Sequence, residues 1–472
     1  MMKPSIPTPS HLKPYHLCLL DQFFGLTYVP QVLFYQNNNP SKHDESQTNN
    51  GKSLVENDEI IMIITRLKES LSKTLSVFYP LVGRLTADES AIDCSDEGIA
   101  FIQARTNITL GEFLKSPNRV DELPQFIPGI STRIVSALEV VPLAIQVTVF
   151  GCGGLAVGSQ YLHKIFDGAS WGNFLNTWAA VANQGVDQKI VKPDFATAIS
   201  LFPPCSWASK RSSKILTTRA LLDGGNHEDE DDQTCVVKAF VFIPEAIAKL
   251  QAMAKSELVN NPTRIEALSA FIWKHAMAAA AAVAASSCKS NVNVIGPSVL
   301  IHSVNIRPRT NPPIPSTAIG NLIIHAYASY KELEENQPIS DMDLKDLVAE
   351  TRKGLSEAKD AEFLSKFKGE NGAEAMRQYK QKVADISKDK NINTYKFTSW
   401  SKLDVLPNFG FIGMPVWIGF TGGKLSSLFK NLVTMIEIPA SGGIEVWLIL
   451  DEKEMSVLRT SEDFLVFASL TS

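Results

Sequence analysis

Between Ile145 and Trp178 the apolar pattern changes period, and a histidine stands at the change. Ile145, Val147 and Val149 alternate with Gln146 and Thr148, the signature of a half-buried strand. Gly151-Cys152-Gly153-Gly154 predicts a turn, and Leu155 to Leu162 a second strand that pairs back as a hairpin. Side chains alternate across a strand, so Leu155, Val157, Ser159, Tyr161 and His163 share one face. Beyond Asp167-Gly168, Trp171, Phe174, Leu175 and Trp178 recur at helical spacing. A strand that delivers a histidine, turns sharply and enters a helix belongs to an α/β architecture, in which strand ends are where ligands meet chemistry. A histidine four residues before an aspartate, taken alone, would still read as a satisfied turn residue.

Size and charge narrow the class. The chain has 472 residues, 44% hydrophobic and 20% charged, which is average for a globular protein but too long for one core. Two domains are expected, over 1–185 and 216–472, with 186–215 as a proline- and serine-rich crossover linker. A net charge of −5 points to neither a nucleic-acid nor an anionic-membrane partner. Six cysteines without a CxxC pair read as free thiols of a reducing compartment, and Met1 to Leu20 does not read as a secretory signal, so a soluble, cytoplasmic protein is expected; a monomer is a separate expectation. Ala267 to Ala285 is largely apolar, yet Lys274 and His275 interrupt it. It is expected to be a buried helix, opened by a Thr263–Glu266 capping box.

Other elements follow from periodicity. Ile60, Ile61, Ile64, Leu67, Leu71 and Leu75 predict a helix over 59–77 that ends at Phe78-Tyr79-Pro80. Ile92 to Ile102 reads as a hairpin through Glu97-Gly98, Gln36 to Asn57 as a polar surface loop, and Asn226 to Asp232 as a solvated acidic loop. Strands are expected at 236–243, 298–304 and 395–400, a hairpin over 431–450, and an amphipathic helix over 455–468.

The chemistry is narrowed by what is missing. The sequence has no P-loop or HExxH, and its eight histidines are too scattered to suggest a metal cluster. A single histidine without a nucleophile partner fits direct, base-assisted transfer better than a covalent intermediate.

Several blocks now carry a resemblance. His163-Lys164-Ile165-Phe166-Asp167-Gly168 matches an HxxxDG motif. Phe78 to Leu85 resembles FYPLAGRL, and Leu268-Ser269-Ala270-Phe271-Ile272-Trp273 resembles LTAxxW. Asn305-Ile306-Arg307 and Gly320-Asn321 resemble the NxR and GN blocks, and Thr398-Ser399-Trp400 leads to Asn408-Phe409-Gly410, close to DFGWG. In this order, over nearly the whole chain, they resemble the BAHD acyl-CoA-dependent acyltransferases of plant specialised metabolism.

The resemblance implies two chloramphenicol-acetyltransferase-like domains, each a mixed β-sheet flanked by helices, with a solvent channel between them. His163 would be the general base, with the Trp400 indole and the Thr398 hydroxyl beside the oxyanion. Asp167 would be structural and paired with Arg307, Gly168 would relieve a clash, and Asn408 and Gly410 would support the site. Ser269 is expected beside the co-substrate. Acyl-CoA, above all acetyl-CoA, is implied as co-substrate, with a small-molecule acceptor and no permanently bound cofactor or metal. The acceptor is expected to be a hydroxyl of an alkaloid or terpenoid; an amine acceptor or a non-catalytic ligand-binding relative are the alternatives. One departure stands out: Asn408-Phe409-Gly410-Phe411-Ile412-Gly413 has asparagine for aspartate, phenylalanine for tryptophan, and Ile412 added. Another is Leu162, where condensation domains carry a second histidine.

Overall fold

The structure is a computed structural model that describes residues 1–37, 58–129, 140–183, 192–206, 235–287, 297–330, 342–388, 392–425 and 429–471. Two mixed sheets organise it. The first runs Trp417–Gly419, Tyr28–Tyr35, Leu155–Leu162, Leu143–Val149, Ala100–Arg105. The second runs Ile323–Tyr330, Ser298–Asn305, Asn393–Ser399, Leu432–Glu437, Ile444–Asp451, Cys235–Phe242, Lys424–Leu425, and Ser469–Leu470 also pairs with Cys235–Phe242. Asn393–Ser399 is parallel to both of its neighbours.

The predicted hairpin forms: Leu143–Val149 pairs antiparallel with Leu155–Leu162, and the Phe150 N–H donates to the Gly154 carbonyl at 2.9 Å. Its first strand is not half-buried, however, because every residue in it is buried. The short helical turn Leu123–Phe126 packs over the face that carries Gln146, whose amide donates to the Gln125 carbonyl at 2.8 Å and to the Thr148 hydroxyl at 3.1 Å. Buried polar groups are tolerated when bonded in this way.

Two other expectations are corrected. Residues 92–102 form no hairpin. Ala91–Asp93 pairs with Tyr15–His16 and Arg84–Leu85, whereas Ala100–Arg105 lies parallel to Leu143–Val149 in the first sheet. The closing helix over 455–468 is split into Glu452–Thr460 and Glu462–Leu465, because Ser461 caps the second piece in an extended conformation. The Asn226–Asp232 loop, almost all of Gln36–Asn57 and half of the linker, 186–191 and 207–215, lie outside the described residues.

The helices follow their apolar faces. In Asp58–Val77, Ile60, Ile64, Leu67, Leu71 and Leu75 are buried, while Ile61 is exposed. Gly168–Ala182 buries Trp171, Phe174, Leu175 and Trp178 and packs against Asp58–Val77. Arg264–Ser287 opens with the expected capping box, in which the Thr263 N–H donates to the Glu266 carboxylate at 2.8 Å and the Glu266 N–H to the Thr263 hydroxyl at 3.2 Å. That helix is long and apolar enough to cross a membrane, yet 61% of its apolar window is buried inside the protein. It packs in a core of its own with Trp273 and Phe271. A larger core runs from the first sheet through Trp400 and Phe420 to Trp447 of the second, so the cavity described next lies between two parts that share side chains.

Candidate active site

A cavity of about 510 Å³ separates the sheets, and its wall is mostly apolar. His163, Tyr161 and Gly168 reach it from the first half of the chain, Thr398, Trp400 and His325 from the second.

The position of His163 is fixed from several sides. Its backbone N–H donates to the Thr27 carbonyl at 2.8 Å, just past the end of the strand. The Phe24 ring stacks on the imidazole with centroids 4.8 Å apart. Nδ1 lies 3.0 Å from Oδ1 of Asn321. The orientation of that amide follows from its other partner, since Nδ2 of Asn321 donates to the Asp21 carboxylate at 2.9 Å, and a carboxylate accepts only from the NH₂ end. Oδ1 therefore faces the ring, Nδ1 carries the proton, and Nε2 keeps its lone pair free. Burial pushes the imidazole below its ordinary pKa, and the nearby Asp167 charge opposes that only in part. The ring is thus neutral near pH 7 and able to take a proton.

Asp167 turns away from the ring. Its carboxylate caps the helix Gly168–Ala182 by accepting from the Ser170 N–H at 2.8 Å, and accepts from the Leu322 N–H at 3.1 Å. Arg307 pairs with it through two bonds, at 2.7 and 3.2 Å. Arg307 also donates to the carbonyls of Ala318 and Gly320 and to the Ser170 hydroxyl. The pair is buried on both sides and frames the turn beneath His163. At Gly168 a Cβ would sit 2.7 Å from the tip of Leu403 and 3.7 Å from the Trp400 ring, so close approach to the Trp400 loop explains that glycine.

Thr398, one residue before the end of the strand Asn393–Ser399, faces the cavity, and Trp400 follows the strand, packed edge-on against Phe420 at 4.9 Å. Among the described residues, neither the Trp400 indole N–H nor the Thr398 hydroxyl meets a protein acceptor. Both are free to point at a ligand.

Ser269 is not part of this assembly. It is fully buried in Arg264–Ser287, its hydroxyl has no partner among the described residues, and it does not reach the cavity wall. A place beside a co-substrate is corrected accordingly: the position is a core contact. Asn408 and Gly410 also stand apart from the cavity wall. The Asn408 side chain accepts from the Gly410 N–H at 2.8 Å, and Asn183 at the end of Gly168–Ala182 donates to the Asn408 carbonyl at 2.9 Å. Gly410 has φ +63, a left-handed conformation that suits glycine. The loop therefore clamps the far end of the helix that starts beneath His163.

Sequence reading missed Asp21 and Phe24, and it gave Asn321 no role. The one local signal was the spacing of Cys18 and Asp21, which form a capping box for the short helix Leu19–Gln22.

This arrangement, a neutral histidine with one lone pair facing a cavity between two sheet-and-helix units, is that of an acyl-transfer enzyme. Residues 1–465 match the Transferase family, and the chain belongs to that family, the BAHD acyltransferases. It is 32% identical to akuammiline synthase 2 of Alstonia scholaris, over 99% of this chain and 95% of that protein. It is also 32% identical to stemmadenine O-acetyltransferase of Catharanthus roseus, over 98% and 95%. The crystal structure of vinorine synthase matches with a TM-score of 0.75 at 29% identity, covering 99% of this chain and 97% of that one. The fold is accordingly the two-domain CoA-acyltransferase fold, and the chain is an acyltransferase.

Proposed function

We propose that the protein is an O-acyltransferase, and specifically an O-acetyltransferase, that moves an acyl group from acyl-CoA to a hydroxyl of an alkaloid or terpenoid. The observation that carries the reading is His163, neutral through burial, with Nδ1 held by Asn321 and Nε2 facing a largely apolar cavity. An apolar wall suits a polycyclic acceptor, and the names of akuammiline synthase 2 and stemmadenine O-acetyltransferase support that acceptor class. The two domains are taken to run over 1–185 and 216–472, joined by 186–215. Free thiols at the five described cysteines suit a cytoplasmic monomer; elution as a dimer in size-exclusion chromatography would count against the monomer.

Donor and acceptor meet in one ternary complex, without an acyl-enzyme. Nε2 of His163 removes the hydroxyl proton as the oxygen attacks the thioester carbon. The carbonyl electrons move to the oxygen, where the Trp400 indole N–H and the Thr398 hydroxyl donate hydrogen bonds. As the carbon–sulfur bond breaks, the imidazolium returns the proton to the departing thiolate. The products are an ester and free CoA. Asp167 and Arg307 hold the turn that carries His163 and take no part in proton transfer.

Incubation with acetyl-CoA and a panel of alcohols and amines, with release of free thiol as the readout, tests this directly. Acceptor-dependent thiol release with alcohols is expected, and His163→Ala should lower turnover by about 10²–10⁴ while acetyl-CoA still binds. Near-normal turnover in that variant would remove the histidine from the mechanism, and acylation of amines alone would overturn the acceptor.

A further inference from the structure

We propose that Asp21 is a positioning residue for His163: through the side-chain amide of Asn321 it dictates which ring nitrogen carries the proton. The proposal rests on the reading of His163 as the base.

Asp21 lies 300 positions from Asn321, on the four-residue helix Leu19–Gln22, and is fully buried. One of its oxygens accepts from the Asn321 backbone N–H at 2.7 Å and from Nδ2 of Asn321 at 2.9 Å. The other accepts from the Cys18 N–H at 3.0 Å. No cation among the described residues pairs with it, because the nearby Lys164 is paired with Glu89 at 3.4 Å. As the N3 residue of that capping box it need not be charged, since a side-chain amide or hydroxyl can also accept the Cys18 N–H and is cheaper to bury. A carboxylate differs from both in one respect: every one of its polar sites is an acceptor. Only a carboxylate excludes the flipped amide of Asn321.

The consequence falls on the ring. With Nδ2 of Asn321 committed to Asp21, Oδ1 must face Nδ1 of His163, and Nδ1 must donate. If the amide flipped, its NH₂ would face Nδ1, which would then have to accept. The proton would move to Nε2, and the atom facing the cavity would no longer be a base. A wrong tautomer is costly even when every atom stays in place. Burial pushes the Asp21 carboxyl up to about 6, held there against further rise chiefly by the Asn321 N–H, so it is ionised at pH 7. The other titratable groups around it are Tyr15, Cys18 and Lys164.

Asp21→Asn is the informative variant. With its amide oxygen toward the Cys18 N–H, its NH₂ faces Asn321 and can be met only by Oδ1 of that side chain, which drives the flip at the cost of the acceptor for the Asn321 backbone N–H. The tautomer is read without turnover, from long-range ¹H–¹⁵N spectra of protein labelled with ¹⁵N-histidine, with the His163 signals assigned by their loss in His163→Gln. In the wild-type protein at pH 7.5, His163 should be protonated at Nδ1. Asp21→Asn should show the Nε2-protonated form, with kcat at least about 10-fold lower, part of the ~10²–10⁴ that a positioned base contributes, and KM for acetyl-CoA little changed. Asn321→Ala, which removes the amide altogether, should lose the tautomer preference as well, and it decides the matter if Asp21→Asn does not fold. Wild-type protein protonated at Nε2, or an unchanged tautomer in the folded variants, overturns the proposal whatever the activities are. A correct tautomer in a protein that acylates nothing would instead count against the acyl-transfer reading and leave the Asp21 relay standing.

Discussion

Arg307 carries more bonds than any other side chain near His163, and its cost of removal can be ranked against that of its partner. Asp167→Asn keeps one oxygen to cap the helix at Ser170 but gives up the charge opposite a buried guanidinium. Removing one side of such a pair costs about 3–5 kcal/mol. Arg307→Gln gives up the same pair and also the bonds to Ala318, Gly320 and Ser170, so it should lower the melting temperature further. The double change should be clearly less than additive, because each single change already breaks the shared interaction. Thermal unfolding of the three variants measures this. Additive shifts would mean that the pair is energetically independent. Activity should fall in both single variants, since Leu322 and the turn beneath His163 hang on the same carboxylate.

At the scale of elements, the loop Asn408–Gly413 supports the site without touching it. Its closing bonds are made by backbone groups and by the Asn408 side-chain oxygen, and an aspartate oxygen can accept the Gly410 N–H equally well. Asn408→Asp should therefore change activity less than tenfold, since charge assistance at most about doubles the strength of that one exposed bond. Deleting Ile412 should do far more harm. Ile412 is buried, and the chain runs on to Val416, whose N–H donates to the Phe34 carbonyl at 2.7 Å, and to Trp417–Gly419, which pairs with Val32–Phe34. A one-residue slip there would turn the strand's side chains to the wrong faces. A deletion variant with unchanged melting temperature and activity would show that the strand does not depend on that spacing. This strand also marks the limit of what the sequence makes legible. Hairpins and amphipathic helices are written in local periodicity, and the strand–turn–helix at His163 could be read from it. Trp417–Gly419 joining a sheet built from residues far upstream, or Ala100–Arg105 lying parallel to Leu143–Val149, leaves no local mark. The same holds for Asp21: its role depends on a residue 300 positions away, so the lead-in segment reads only as proline-punctuated chain. Ser269 was misplaced for the opposite reason, since a motif residue on a helix can face the core as readily as a ligand.

Across the whole molecule, the two halves share one continuous core around the cavity, so protonation anywhere in it should be felt as global stability. Four histidines, His163, His275, His302 and His325, are held below their ordinary pKa, in each case chiefly by burial. His275 and His302 fall to about 4 and His325 to about 3. Neighbouring cations push the same way: Lys274 at His275, Lys359 and Arg309 at His302, and Lys380 and Lys396 at His325. An unfolded histidine titrates near 6.5. As pH falls through that value the unfolded chain binds protons that the folded chain refuses, so stability present above about 6.5 is lost progressively toward pH 4. Asp21 acts with the opposite sign. Its folded pKa of about 6 lies above the unfolded value of about 3.9, so it favours the folded state as pH falls through that window. Burial raises the Glu445 carboxyl as well, yet two carboxyls cannot offset four histidines, and the net effect should be a melting temperature that is flat from pH 8 to 7 and then drops steadily down to pH 5. His325→Gln keeps a polar side chain of similar size without the titration, and it should make that drop shallower. Scanning calorimetry at low salt reads both quantities. A melting temperature that held or rose between pH 7 and 5 would mean that these histidines can be protonated in place, and the neutral, proton-accepting His163 on which the proposed chemistry depends would lose its physical basis.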